Sequence, residues 1–213
     1  MVRLVIVRHG YSLYNKEKRF TGQADIPLTE IGIEEARLTA DYVLKQYQID
    51  AIYSSDLSRA VDTAKPIAEA LGLPIHTTDQ LRELNVGVWQ DMLFEDVYTD
   101  YYKEYQYYKE HPDQGRAGVN GECFTELQKR ALSAIAQIVA ENEGKTVLVT
   151  SHGGTIRSLR CAWMGIALKD MYTIAHVPNA SVTEVIFEEG KPQIVVAGYA
   201  EHLKPAEEET KVV

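Results

Sequence analysis

Cysteine is scarce in this chain. There are two among 213 residues, Cys123 and Cys161, and they do not form a C-x-x-C pair. A disulfide framework is therefore not expected, and two reduced thiols suit a cytoplasmic protein. No apolar run approaches the roughly 18 residues that span a bilayer. The opening stretch, Met1-Val2-Arg3-Leu4-Val5-Ile6-Val7, is too short for a signal peptide and runs straight into Arg8-His9-Gly10. Positive charge is also in short supply: 22 Lys and Arg stand against 31 Asp and Glu, for a net charge of −9. Such a surface repels nucleic acid and anionic membrane, so neither is expected as a partner. It repels phosphorylated metabolites too, so any phosphate site has to be a local concentration of arginine. Repeats, low-complexity linkers and domain boundaries are all missing, which points to one domain over residues 1–213 with ample core.

What is present is a soluble balance of 45% hydrophobic and 25% charged residues. Leu4 to Val7 is a short apolar run of the kind buried on both faces of a sheet. A polar loop, Tyr11 to Pro27, follows. Thr29 caps a helix whose stripe is Ile33, Ala36, Ala40, Val43, Leu44 and Tyr47. Asp50 to Tyr53 reads as a strand, Ser54-Ser55 as a cap, and Leu57 to Leu71 as a helix ending near Gly72. Pro74 to Thr77 reads as a further strand. Leu127, Ala131, Ile135 and Ile138 mark an amphipathic helix ended by Gly144. Thr146 to Thr150 is a buried strand, and a helix starts at Thr155. Val182–Phe187 and Ile194–Ala197 form a hairpin turning at Glu189-Gly190, and the charged segment from Lys204 to Val213 reads as a loose tail. Strands alternating with helices predict an α/β three-layer sandwich with a mostly parallel central sheet.

Residues 84–122 break the alternation. Tyr98, Tyr101, Tyr102, Tyr105 and Tyr108 stand at near-helical spacing, and a loop from His111 to Gly118 follows. The segment reads as a helical insertion whose tyrosines pack it down, or wall or lid a site, or offer a homodimer face.

Two apolar strands end in His-Gly: Val7-Arg8-His9-Gly10 and Thr150-Ser151-His152-Gly153. Ligands of open α/β sheets bind at the carboxyl ends of parallel strands, where both histidines would project. Arg8 precedes His9, and Arg59 opens the helix after the Asp50–Tyr53 strand. A guanidinium holds two phosphate oxygens with one planar fork. Glu83, in Leu81-Arg82-Glu83-Leu84, supplies a carboxyl that would protonate a leaving oxygen, although taken alone it is a surface glutamate. Metal ligation by His9 and His152 would need more ligands, and His76, His111, His176 and His202 stand at no ligand spacing from either.

In order along the chain stand Arg8-His9-Gly10 with Asn15, Arg19-Phe20-Thr21-Gly22, and Pro27-Leu28-Thr29-x-x-Gly32. Then come Ser54-Ser55-x-x-x-Arg59-Ala60-x-x-Thr63-Ala64, Leu81-Arg82-Glu83-Leu84 and Ser151-His152-Gly153-Gly154. Together these resemble the histidine phosphatase superfamily, in its phosphoglycerate mutase-like branch, and most of all its small bacterial broad-specificity phosphatases. The resemblance implies that His9 is the nucleophile and that Arg8, Arg59, His152 and Asn15 hold the phosphoryl oxygens. It also implies that Thr21, Gly22 and the Gly153 N–H join the pocket and that Glu83 is the general acid and base. It implies no cofactor and no metal. The mutases of this family use an adjacent Arg-Arg pair and a Lys in the insertion. Residues 84–122 offer Lys103, Lys109 and Arg116 but no Arg-Arg. An aromatic insertion with few charges favours a phosphatase of relaxed specificity acting on small phosphorylated metabolites with apolar or varied organic parts. Phosphoglycerate mutase is the alternative, followed by a dedicated sugar-phosphate or alpha-ribazole phosphate phosphatase. A non-catalytic phosphate-binding module would not need His9 and Glu83.

Overall fold

A computed structural model describes residues 1–204; the loose tail expected from Lys204 lies, past that residue, outside the described region. Six strands form one sheet among the described residues: β1 (Val2–Arg8), β2 (Ala51–Ser55), β3 (Ile75–Thr78), β4 (Thr146–Ser151), β5 (Val182–Glu188) and β6 (Lys191–Tyr199). Their order is β3-β2-β4-β1-β5-β6. The first four run parallel, with β1 paired to β4 from Arg3↔Thr146 to Arg8↔Ser151. β5 and β6 add antiparallel strands beyond β1, as the expected hairpin, but longer.

Alternation along the central strands feeds a core on each face. Val5 and Val7 of β1 join Ile52 and Leu148 under α2 (Glu30–Gln46) and α3 (Ser58–Leu71), which contribute Ala40, Val43, Ala64 and Ile67. Leu4 and Ile6 point the other way. They meet Val147 and Val149 and the faces of α6 (Phe124–Glu141) and α7 (Gly153–Met164), through Ala131, Ile135, Ile156 and Leu159. These aliphatic side chains are buried almost completely, at about 1.5–3 kcal/mol each. A three-layer α/β sandwich results.

A third cluster fixes the segment between β3 and α6. Leu84, Val86, Trp89, Val97, Tyr108 and Ala117 pack on Phe124 and Leu127 of α6. The tyrosine run forms two helices, α4 (Phe94–Asp100) and α5 (Tyr102–Glu110), with the break at Tyr101. Trp89, wholly buried, is the anvil: Tyr101, Tyr105 and Tyr108 lie around it with ring centroids 5.5–6.5 Å away.

Local boundaries depart from the sequence reading in four places. The polar loop holds a short helix, α1 (Leu13–Glu17), built on a capping box in which Ser12 and Asn15 serve each other's backbone. Ser54 and Ser55 are not a cap but the buried end of β2; α3 starts at Ser58 without a side-chain cap of its own, and Asp25 receives the Ser58 N–H at 2.7 Å. α6 closes at Glu141, before Gly144. α7 begins at Gly153 rather than Thr155. Among the described residues no helix is long and apolar enough to cross a membrane.

Candidate active site

His9 and His152 leave adjacent parallel strands at their carboxyl ends, and their ring centroids lie 5.1 Å apart. The chain turns sharply after His9 because Gly10 packs on a second glycine. A Cβ at Gly10 would sit 2.5 Å from the Gly32 carbonyl oxygen, and one at Gly32 would sit 2.2 Å from that of Tyr11. The Thr63 hydroxyl accepts the Gly10 N–H at 3.0 Å and pins the turn to α3.

The tautomer of His9 is fixed by its neighbour. A carbonyl only accepts, so Nδ1 carries the proton and donates it to Gly10 O at 2.7 Å. Nε2 keeps its lone pair and has no hydrogen-bond partner among the described residues. Burial above all, then the charges of Arg59 and Arg8, holds the His9 imidazole well below the usual histidine range, so it is neutral at pH 7. His152, fully buried, is depressed in the same way, by burial first and then by Arg59. Its Nε2 lies 2.8 Å from the Ser55 hydroxyl. That hydroxyl also accepts the Leu57 N–H at 3.4 Å, and giving its own proton to Nε2 would place the His152 N–H on Nδ1. Nδ1 then bears the N–H, and it is buried without a protein partner.

Carbonyl oxygens anchor both arginines. Arg59, 1% exposed, donates from Nη2 to Gly22 O at 2.9 Å and from Nη1 to Ala24 O at 2.7 Å. Gly22 takes a positive φ of 50°, and Val86 fills the place of a Cβ, so glycine is required where the loop meets Arg59. Arg8 donates from Nη1 to Val177 O at 2.8 Å. Burial lowers both guanidinium groups to about 10, which still leaves them charged at pH 7. Arg8 Nε and Arg59 Nε are buried without partners, as His152 Nδ1 is. Three donors beside one free imidazole nitrogen make a receptor for a tetrahedral oxyanion.

Glu83 sits at the amino-terminal turn of α7. Its Oε2 accepts the Gly154 N–H at 2.8 Å, and its Oε1 accepts Leu84 N–H at 2.9 Å and Thr155 N–H at 3.2 Å. Asn15 Oδ1 accepts from Ser12 and Asn179, which leaves its Nδ2 for a ligand. A cleft of about 410 Å³ joins these groups; Arg8, His9, Asn15, Thr21, Gly22, Arg59 and Glu83 all line it. His152 and Gly153 are not among its lining residues, although Gly154 is. Of the tyrosine run, Tyr98, Tyr105 and Tyr108 form wall, so these rings both pack the segment and border the site.

Sequence reasoning missed Lys109, Arg157, Tyr172 and His176 as lining residues, and Asn179 behind them. Only Arg157 carried a usable signal, one helical turn beyond Gly153 and so on the same face of α7. Among the described residues no three His, Cys, Asp or Glu side chains are grouped as metal ligands would be.

The sequence pattern of the histidine phosphatase superfamily (branch 1) matches residues 4–199. Phosphoserine phosphatase 1 of Hydrogenobacter thermophilus is 31% identical over 95% of each chain. A probable phosphoglycerate mutase, GpmB of Yersinia pestis, is 36% identical over 89% of this chain and 86% of its own. Among solved structures, YhfR of Bacillus stearothermophilus superposes with a TM-score of 0.90 at 29% identity, covering 95% of this chain and all of that one.

Proposed function

The chain belongs to the histidine phosphatase superfamily and is a phosphatase by class, and from that premise we propose that it hydrolyses small organic phosphomonoesters through a phosphohistidine on His9. The observation that carries the reading is the His9 Nδ1–H bond to Gly10 O, which leaves Nε2 unprotonated beside two arginines.

In this mechanism Nε2 attacks phosphorus in line. The N–P bond forms as the ester P–O bond breaks. Arg8, Arg59 and His152 Nδ1–H hold the equatorial oxygens, and Asn15 adds its amide. These donors face charge that spreads in the transition state, so they stabilise it more than bound substrate. Glu83 serves as the general acid and gives a proton to the departing alkoxide. It then takes a proton from the water that cleaves the N–P bond, releasing inorganic phosphate. Thr21, Gly22 and Gly153 shape the pocket. Residues 84–122 act as the substrate-selecting insertion of a single domain, and the two free, buried cysteines suit a cytoplasmic setting.

Phosphorus NMR of the protein with 3-phosphoglycerate tests the reading. Inorganic phosphate as sole product, absent with His9→Ala, supports it. The second reading, favoured by the likeness to the Yersinia relative, is a phosphoglycerate mutase. Primer-dependent 2-phosphoglycerate would establish that reading in place of hydrolysis.

A further inference from the structure

Glu83 is carried by a stretch of irregular backbone. Residues 82–86 lie between two short 3₁₀ turns, Asp79–Leu81 and Gly87–Trp89. Carbonyls in such a stretch need partners from elsewhere, and one side chain collects most of those around Glu83. Arg130 of α6 donates from Nη1 to Gln80 O at 2.9 Å and to Arg82 O at 2.8 Å. Its Nη2 donates to Glu83 O at 2.8 Å. The carbonyl it skips, Leu81 O, accepts the Ser151 hydroxyl at 2.8 Å. The remaining Arg130 donors meet one carboxylate: Nε lies 2.8 Å from Glu122 Oε1, and Nη2 lies 2.9 Å from Oε2. All five N–H groups of the guanidinium are thus engaged, and both partners of the ion pair are largely buried.

Glu122 ties this clamp to the insertion. Its Oε2 also accepts the Asn85 N–H at 2.9 Å, and its own N–H donates to Asn85 O at 2.8 Å. Residues 84–122 are therefore closed at their base, entry against exit, by the same ion pair. Neither Arg130 nor Glu122 lines the cleft. What they hold is backbone, and that backbone sets where the Glu83 side chain starts. The bonds from Gly154 and Thr155 N–H fix only the carboxyl end. His152, kept neutral first by burial, also feels the Arg130 charge.

We propose that Arg130, with Glu122 as its counter-charge, is the positioning residue for proton transfer. It holds the chain at Glu83 so that the carboxyl stands at the leaving-group oxygen, and it touches no substrate itself. This rests on the phosphatase reading and on Glu83 as its acid. A planar fork is what the task requires, because a single ammonium cannot span three carbonyls and a carboxylate.

The test compares two esters. p-Nitrophenyl phosphate expels a leaving group that needs no proton, and glycerol 3-phosphate one that does. Their kcat/KM values report the step in which that group departs. Arg130→Lys keeps the charge that His152 feels but loses the fork. The ratio of glycerol 3-phosphate to p-nitrophenyl phosphate should fall about 10-fold or more in this variant. Glu122→Gln should shift the ratio the same way, by less. Added to Glu83→Gln, Arg130→Lys should cost nothing further on glycerol 3-phosphate, since both changes act through one group. An unchanged ratio, or losses that multiply in the double variant, would overturn the assignment. Should Arg130→Lys not fold, Glu122→Gln and its own double variant with Glu83→Gln decide in the same terms. If the wild-type protein turns over neither ester, the phosphatase reading fails by itself. The Gly154 amide resonance then decides: it should move in Arg130→Lys as it moves in Glu83→Gln, and a resonance left in place refutes the clamp.

Discussion

Glu83 and Gly154 are joined by a 2.8 Å hydrogen bond from the glycine amide to Oε2. The carboxyl assigned to proton transfer is thus carried on the first turn of the helix that starts directly after His152. Nucleophile-side and acid-side parts of the site share one rigid junction. A Cβ at Gly154 would stand 2.5 Å from Glu83 Oε1, so the close approach needs glycine.

Glu83→Gln keeps the size of the side chain but turns an NH₂ toward backbone N–H groups and removes the transferable proton. Turnover of an alkyl phosphate should fall about 10²–10⁴-fold. The loss on p-nitrophenyl phosphate, whose leaving group needs no proton, should be at least ~10-fold smaller. Steady-state rates on the two substrates measure this, and equal losses would remove Glu83 from acid catalysis.

Asn179 donates from Nδ2 to His9 O at 2.9 Å and to Gly10 O at 3.2 Å, so it buttresses the carbonyl that sets the His9 tautomer. Asn179→Ala should slow phosphoenzyme formation about 10-fold or more, in line with the loss of a buried hydrogen bond at a reacting group. Asn179→Asp, which sets a carboxylate against two carbonyl oxygens, should be worse. Quenched-flow trapping of labelled phosphoenzyme reads both variants. An unchanged rate in Asn179→Ala would show that Gly10 is held without it.

Acid should destabilise the fold through its two buried neutral histidines. Unfolded, His9 and His152 take up protons as pH falls through about 6.5. Folded, burial keeps both neutral to well below that value. The unfolded state therefore binds more protons in this window, and stability rises with pH across it. Each histidine contributes up to about 1.4 kcal/mol per pH unit below about 6.5. Denaturant titrations at several pH values should show this slope, and His152→Asn should remove about half of the pair's share. A slope untouched by that change would mean other groups control acid stability.

Gly32→Ala should destabilise by about 2 kcal/mol or more, because the added methyl meets backbone and not a side chain that can swing aside. Chemical denaturation gives the value. A loss under about 0.5 kcal/mol would show that the Gly10–Gly32 contact gives way easily.

The sandwich and the heart of the site were legible in the sequence because both are written locally. Val5 and Val7 alternate with Leu4 and Ile6 and then stop at His9-Gly10, and Thr146 to Thr150 repeats the pattern before His152. Arg59 was found by its place after a strand. Lys109, Arg157 and His176 were not, because three separate elements bring them to the cleft and no local spacing records that. The Ser54-Ser55 reading failed for a related reason. Serines before a helix signal a cap, but here β2 carries them into the core, where Ser55 serves His152 and Ser54 receives the Thr150 hydroxyl. The short helix Leu13–Glu17 escaped notice because it has no apolar stripe; its capping box is what holds it. The expectation of a wall with few charges came from counting residues 84–122 alone, which leaves out α7.

The strand that carries Arg8 and leads into His9 is flanked by β4 and β5, in registers such as Arg3↔Thr146 and Val2↔Phe187. During synthesis it must wait, unpaired and apolar, until most of the polypeptide has left the ribosome. Pairings so distant along the chain cost loop-closure entropy before they are rewarded, which makes folding slow and leaves a sticky segment open to other chains.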